Sequence, residues 1–225
     1  MSGENKILRD AKNDWLARFD GAVAERTVTI GSPTVRHIYK RAYDHIGRNC
    51  HYISVFGRVL LGEEKISEPE AAVAARLQEV TTSLERKIAA SRATIVDAGI
   101  KDVANFNKPE TINVKIISPV QKKFLNILTL ADEYLRLINT LWLEGEIVDK
   151  AKSKAELELK QQLRIIASTT RKMQIYLRGK VQEAANDTNA SAETKRIAAQ
   201  IKTDGDAASI DTGEDEDAPA LAAAA

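Results

Sequence analysis

Residues 111–119 read TINVKIISP, and the fold turns on them. Ile112, Val114 and Ile116 alternate with Thr111, Asn113 and Lys115, the period of a strand with one buried and one solvated face. Ser118-Pro119 follows, a good N-cap before a good first helical residue. The same order stands earlier in the chain. Val28 and Ile30 alternate with Thr27 and Thr29 over Arg26–Ile30, and Ser32-Pro33 comes next. Strand, Ser-Pro, helix therefore occurs twice, and we read it as an internal pseudo-repeat.

Working outward, most of the remaining chain has helical spacing. Residues 5–24 place Leu8, Ala11, Trp15, Phe19 and Val23 three and four apart. Residues 33–46 should form a helix ending at Gly47-Arg48-Asn49, a Gly-x-Asn turn leading into a second helix over 50–61. Residues 67–98 carry a stripe from Val73 to Ile95, with a Ser67–Glu70 capping box at the start and Gly99 as the stop. Residues 119–144 are apolar nearly all round, which predicts a central, buried helix. Residues 151–184 repeat Leu159, Leu163, Ile166, Thr170, Met173 and Leu177 as a heptad-like seam. Asn186–Ala192 reads as a polar linker, residues 193–202 as a short helix, and the rest as a disordered acidic tail. The expected organisation is an N-terminal helix over 1–25, a body over 26–185 and a linker with tail over 186–225. The fold class is mainly α with a small β ribbon: a ribbon–helix–helix-like core elaborated with long additional helices.

The chain has 225 residues, 33 of them Lys or Arg and 32 Asp or Glu, for a formal charge of +1. That sum hides two opposed regions. Residues 203–225 hold seven acids and no base, so residues 1–202 carry a net +8. A hydrophobic content of 44% supports a packed core. Apolar runs fall well short of the roughly 18 residues that cross a bilayer. The N-terminus lacks an apolar secretory segment, and the single Cys50 fits a reducing compartment, so a cytoplasmic location beside nucleoid or plasmid DNA is expected. His37, His45 and His51 lack metal-site spacing, and no glycine-rich phosphate loop, nucleophile elbow or paired-carboxylate motif stands out. The sequence thus predicts no enzyme, cofactor, metal or small-molecule substrate.

The basic residues point to double-stranded DNA. Residues 26–61 carry a net +5 and residues 150–182 a net +7. Arg164, Arg171 and Arg178 recur every seven residues, with Lys160 one turn before, a stripe suited to tracking phosphates. A two-stranded ribbon can enter the major groove with alternate side chains facing the bases. Asn113 can read adenine, Lys115 guanine, and Thr111 a thymine methyl, with Thr27 and Thr29 as further base-contacting candidates. Arg26, Arg36, Lys40, Arg48, Asn49, Lys160, Arg164, Arg171 and Arg178 are the phosphate-contacting candidates, Arg48 and Asn49 because a helix start after the Gly-x-Asn turn would offer its N–H groups. Pairing of the two strands within one chain would make a pseudo-dimeric ribbon, and pairing of like with like would need a homodimer.

The block TINVKIISPVQKKFLNILTLADEYLRLINTLWLEGEI, residues 111–147, resembles the AcaB-like proteins of conjugative plasmids and integrative conjugative elements. The segment ending His45-Ile46-Gly47-Arg48 and the helix after Ser67-Glu68-Pro69 extend the likeness over roughly 26–182. The resemblance implies a DNA-binding transcriptional activator of transfer genes with a ribbon–helix–helix character, and a homodimer is the expected assembly. This chain differs from a minimal protein of that type by three long extra helices, and its second unit lacks a Gly-x-Asn turn. The alternative expectation is a structural or adaptor protein of the conjugation machinery that binds through its helices.

Overall fold

The structure, a computed structural model, describes residue 19, residues 21–186 and residues 192, 195 and 196. Of the helix expected over 5–24, Phe19 and residues 21–24 are described and are not helical: 19 and 21–23 are irregular, and Ala24 already belongs to a strand, because pairing with a partner strand wins over helical spacing there. The remainder of that helix and the acidic tail lie outside the described residues. Of the short helix expected over 193–202, Lys195 and Arg196 are described and are helical. Strand β1 spans Ala24–Ile30 and strand β2 spans Glu110–Ile116, and they pair antiparallel within the one chain. Helix α1 (Pro33–His51) follows β1 and passes through a π-helical turn (Tyr52–Gly57) into the short α2 (Arg58–Leu61). Long α3 (Glu63–Asp97) leads to β2, which is followed by α4 (Pro119–Leu143) and α5 (Asp149–Ala185).

Both Ser-Pro dipeptides act as read from the sequence. Ser32 accepts from the Val35 N–H at 3.5 Å and Ser118 from the Gln121 N–H at 3.1 Å, each ahead of a first-turn proline. α4 is the central helix, with Phe124, Ile127, Leu128 and Ala131 fully buried. The α5 seam buries Leu159, Leu163, Ile166, Thr170 and Leu177, with Met173 half-buried. α3 stops in a Schellman motif: Ile100 N–H bonds the Ile95 carbonyl at 3.1 Å, Gly99 N–H bonds Val96 at 3.0 Å, and Gly99 has φ +69. One core spans both strands and all four longer helices. A smaller one joins Tyr52, Ile53, Ile66, Leu177, Val181 and Ala185 at the end of α1 away from the strands.

Two expectations are corrected. The Gly-x-Asn turn does not form, because α1 runs unbroken through Gly47, Arg48 and Asn49. Gly47 serves close approach instead: a Cβ there would lie 2.5 Å from Nε2 of the buried Gln121 on α4. Nor does Ser67 cap α3. The helix begins one turn earlier, after Gly62 at φ +81, with Glu63 and Glu64 favourably placed at its positive end. Ser67 sits inside and donates to the Glu64 carbonyl at 2.9 Å, while Glu70 holds Arg58 at 2.8 Å.

Cys50 is 2% exposed, and burial, reinforced by Glu70, pushes its thiol up to about 12. Native protein at pH 8 should therefore react with a disulfide reagent at least about 100-fold more slowly than protein in guanidinium. Stoichiometric labelling of the native state within the mixing time would show the opposite.

Candidate nucleic-acid interface

The antiparallel register decides what faces outward. Thr27 lies opposite Asn113, Thr29 opposite Thr111, and Glu25 opposite Lys115. All six are exposed or lie on the same outer face by strand alternation, while Val28, Ile30, Ile112, Val114 and Ile116 turn to the core. The five expected base-contacting residues are thus assembled on one ribbon face. Thr27 Oγ1 donates to Asn113 Oδ1 at 2.9 Å, which leaves the two amide hydrogens of Asn113 for an outside acceptor. The Thr29 and Thr111 hydroxyls hydrogen-bond each other at 3.1 Å.

The ribbon is held from both units. Tyr43 on α1 donates its hydroxyl to the Lys115 carbonyl at 3.3 Å, and burial, then Tyr39, pushes that hydroxyl up. Asp132 on α4 accepts from Gly31 N–H at 3.1 Å and Ser32 N–H at 2.6 Å, at the junction of β1 with α1. Gln121 does the corresponding work after β2, accepting from Ile117 N–H at 2.9 Å.

The phosphate-contacting candidates divide. Arg36 and Lys40 stand beside the ribbon, bonded to Glu110 at 3.3 and 3.1 Å. Lys40's hydrogen bond, helped by Arg36, holds the Glu110 carboxyl below the usual range. Arg26 is exposed beside the central Thr27–Asn113 pair, opposite the buried Val114, so alternation keeps it off the outward face that carries Thr27 and Asn113. Asn49 is corrected: it is 8% exposed inside an unbroken helix, so neither its side chain nor its N–H is offered to a phosphate. Arg48 lies about three turns beyond Arg36 on α1 and meets His45 Nδ1 at 2.9 Å. Arg178 follows Leu177 of the smaller core, at the end of α1 away from the strands. Lys160, Arg164 and Arg171 lie on α5, which packs on α1, α3 and α4.

Three residues of this face escaped the sequence reading. Glu25 shares the outer face of β1. Lys122 and Lys123 are exposed in the first turns of α4, and Lys122 stands four residues after Ser118 as Arg36 stands four after Ser32. Among the described residues, no group of histidine, cysteine and carboxylate side chains could hold a metal, and no helix is long and apolar enough to cross a membrane.

The fold is similar to the crystal structure of selenomethionine-containing AcaB from uropathogenic E. coli. The TM-score is 0.69 at 20% sequence identity, over 81% of this chain and 97% of that one. No protein-family model and no curated protein matches the sequence.

Proposed function

We propose that the chain is a non-enzymatic, sequence-specific regulator that binds double-stranded DNA and activates conjugative-transfer genes, acting as a dimer beside nucleoid or plasmid DNA. Its ribbon enters the major groove, whose width admits a two-stranded β structure. The observation that carries this reading is the gathering of Thr27, Thr29, Thr111, Asn113 and Lys115 on one exposed face of a paired ribbon. Arg36, Lys40, Lys122 and Lys123, in the first turns of the two flanking helices, suit the phosphates on either side. The resemblance of residues 111–147 to AcaB-like activators supplies the transfer genes as targets.

Footprinting on fragments of the source element tests the reading. Lys115→Ala should lower the ratio of specific to nonspecific affinity by about 5- to 100-fold. Lys122→Ala should weaken binding to all sequences alike and reduce the salt slope by about 1. Protection that neither change alters would remove the ribbon from the interface.

A second reading has its own observation. Leu157, Ile165, Ile175 and Tyr176 leave large apolar surface exposed along α5, as a helix that docks on a protein would. An adaptor of the conjugation machinery would give no specific DNA shift at physiological salt and would retain a protein partner through α5.

A further inference from the structure

The ribbon has two-fold register but lacks two-fold chemistry. Thr27 and Asn113 are paired and stand 86 residues apart. The same offset relates Ala24 to Glu110, Ser32 to Ser118, Pro33 to Pro119 and the first residues of α3 and α5, Glu63 and Asp149. Each half is a strand, a Ser-Pro helix and a long second helix. A pseudo-two-fold axis therefore passes through the Thr27–Asn113 pair, and one chain completes the ribbon. A homodimer would carry two complete ribbons rather than share one.

At the three outward positions the halves differ throughout. β1 presents Glu25, Thr27 and Thr29 where β2 presents Thr111, Asn113 and Lys115. The register puts Glu25 across from Lys115 at one end and Thr29 across from Thr111 at the other. A carboxylate accepts from the cytosine amino group and an ammonium donates to guanine, so the first end suits G·C pairs. At the second end the two hydroxyls share one hydrogen bond, which leaves a single O–H to donate to a thymine O4, and the two methyls beside them suit the thymine methyl. Asn113 on the axis suits adenine.

Resting on the proposed DNA reading, we infer that a single ribbon recognises a directional, non-palindromic element, G·C at the Glu25/Lys115 end and A·T at the Thr29/Thr111 end. Glu25 is the residue that sets its polarity. A ribbon made of two identical strands would read a self-complementary element, because its ends would be alike.

The test is selection from duplexes with a randomised core of about 8 base pairs, less than one helical turn and so room for one ribbon. The full chain should enrich a directional core. The combined variant Glu25→Thr, Thr27→Asn, Thr29→Lys gives both strands the same outward residues at exposed positions. It should enrich a self-complementary core with G·C at both ends. Glu25→Gln alone should lower discrimination at the G·C end about 5-fold and leave the other end unchanged. A self-complementary core from the unaltered chain, or an unchanged core from the combined variant with an unchanged circular dichroism spectrum, overturns the inference and leaves DNA binding standing. No enrichment over the starting pool overturns the DNA reading and the inference together.

Discussion

Phe124→Ala should destabilise the protein by about 3–5 kcal/mol, the range for emptying a fully buried aromatic site. Phe124 is 0% exposed on the central helix, and its ring stacks on Tyr43 with centroids 6.4 Å apart. Tyr43 is itself 1% exposed and reaches the Lys115 carbonyl. The cavity would therefore open beside the helix that anchors β2, where α1 and α4 meet. For a chain of this size the loss corresponds to a fall in Tm of about 6–20 °C, read by circular dichroism. Leu143 on the same helix is 63% exposed, and Leu143→Ala should stay within about 0.5 kcal/mol. Equal effects from the two changes would mean that Phe124 does not floor the ribbon. On the proposed DNA reading, affinity of the Phe124 variant should fall only with its folded fraction, since none of the outward residues is altered.

What could be read from the sequence was what local chemistry decides. Alternation over 111–116 separates Val114 from Asn113 because a strand's period is two. Ser-Pro starts a helix wherever it stands, since both effects lie within one turn. The stripe Leu159, Leu163, Ile166 had to be buried wherever its partner lay. Gly47 was misread because its reason is long-range: it is glycine so that Gln121 can approach α1, a contact invisible along the chain. Ser67 was misread because two start signals compete, and Gly62 with Glu63 and Glu64 wins one turn earlier. Glu25 was missed because alternation of β-branched residues starts only at Thr27, whereas pairing with β2 carries the strand back to Ala24. Lys122 becomes conspicuous only when the two halves are aligned on their Ser-Pro dipeptides and it falls where Arg36 does. Which strand pairs with which was undecided by pattern, because hydrophobic alternation sets a strand's face and leaves its partner open.

Removing the Asp132 carboxylate should cost about 2–4 kcal/mol, because two backbone N–H groups lose charged acceptors at once. Its oxygens take Gly31 N–H at 3.1 Å and Ser32 N–H at 2.6 Å, in a part-buried site where water replaces them poorly. α1 has no acidic residue in its own first turn, so Asp132 is also the anion that its positive end receives, supplied by α4 of the other half. Asp132→Asn should recover little, since turning an amide into the same place sets an NH2 against one of the N–H donors. In Asp132→Ala the Gly31 and Ser32 amides should exchange with solvent about 10-fold faster or more, while the α4 amides around Leu128 follow global stability. Thr27 and Thr29 sit on the strand that this carboxylate ties down, and Asn113 and Lys115 on the strand paired with it. If the ribbon binds DNA as proposed, loosening the tie should reduce discrimination between DNA sequences more than nonspecific affinity, which that proposal assigns to cations in α1 and α4. Wild-type exchange at Gly31 and Ser32 in the alanine variant would show that Ser32's own cap and the strand pairing hold the junction without Asp132.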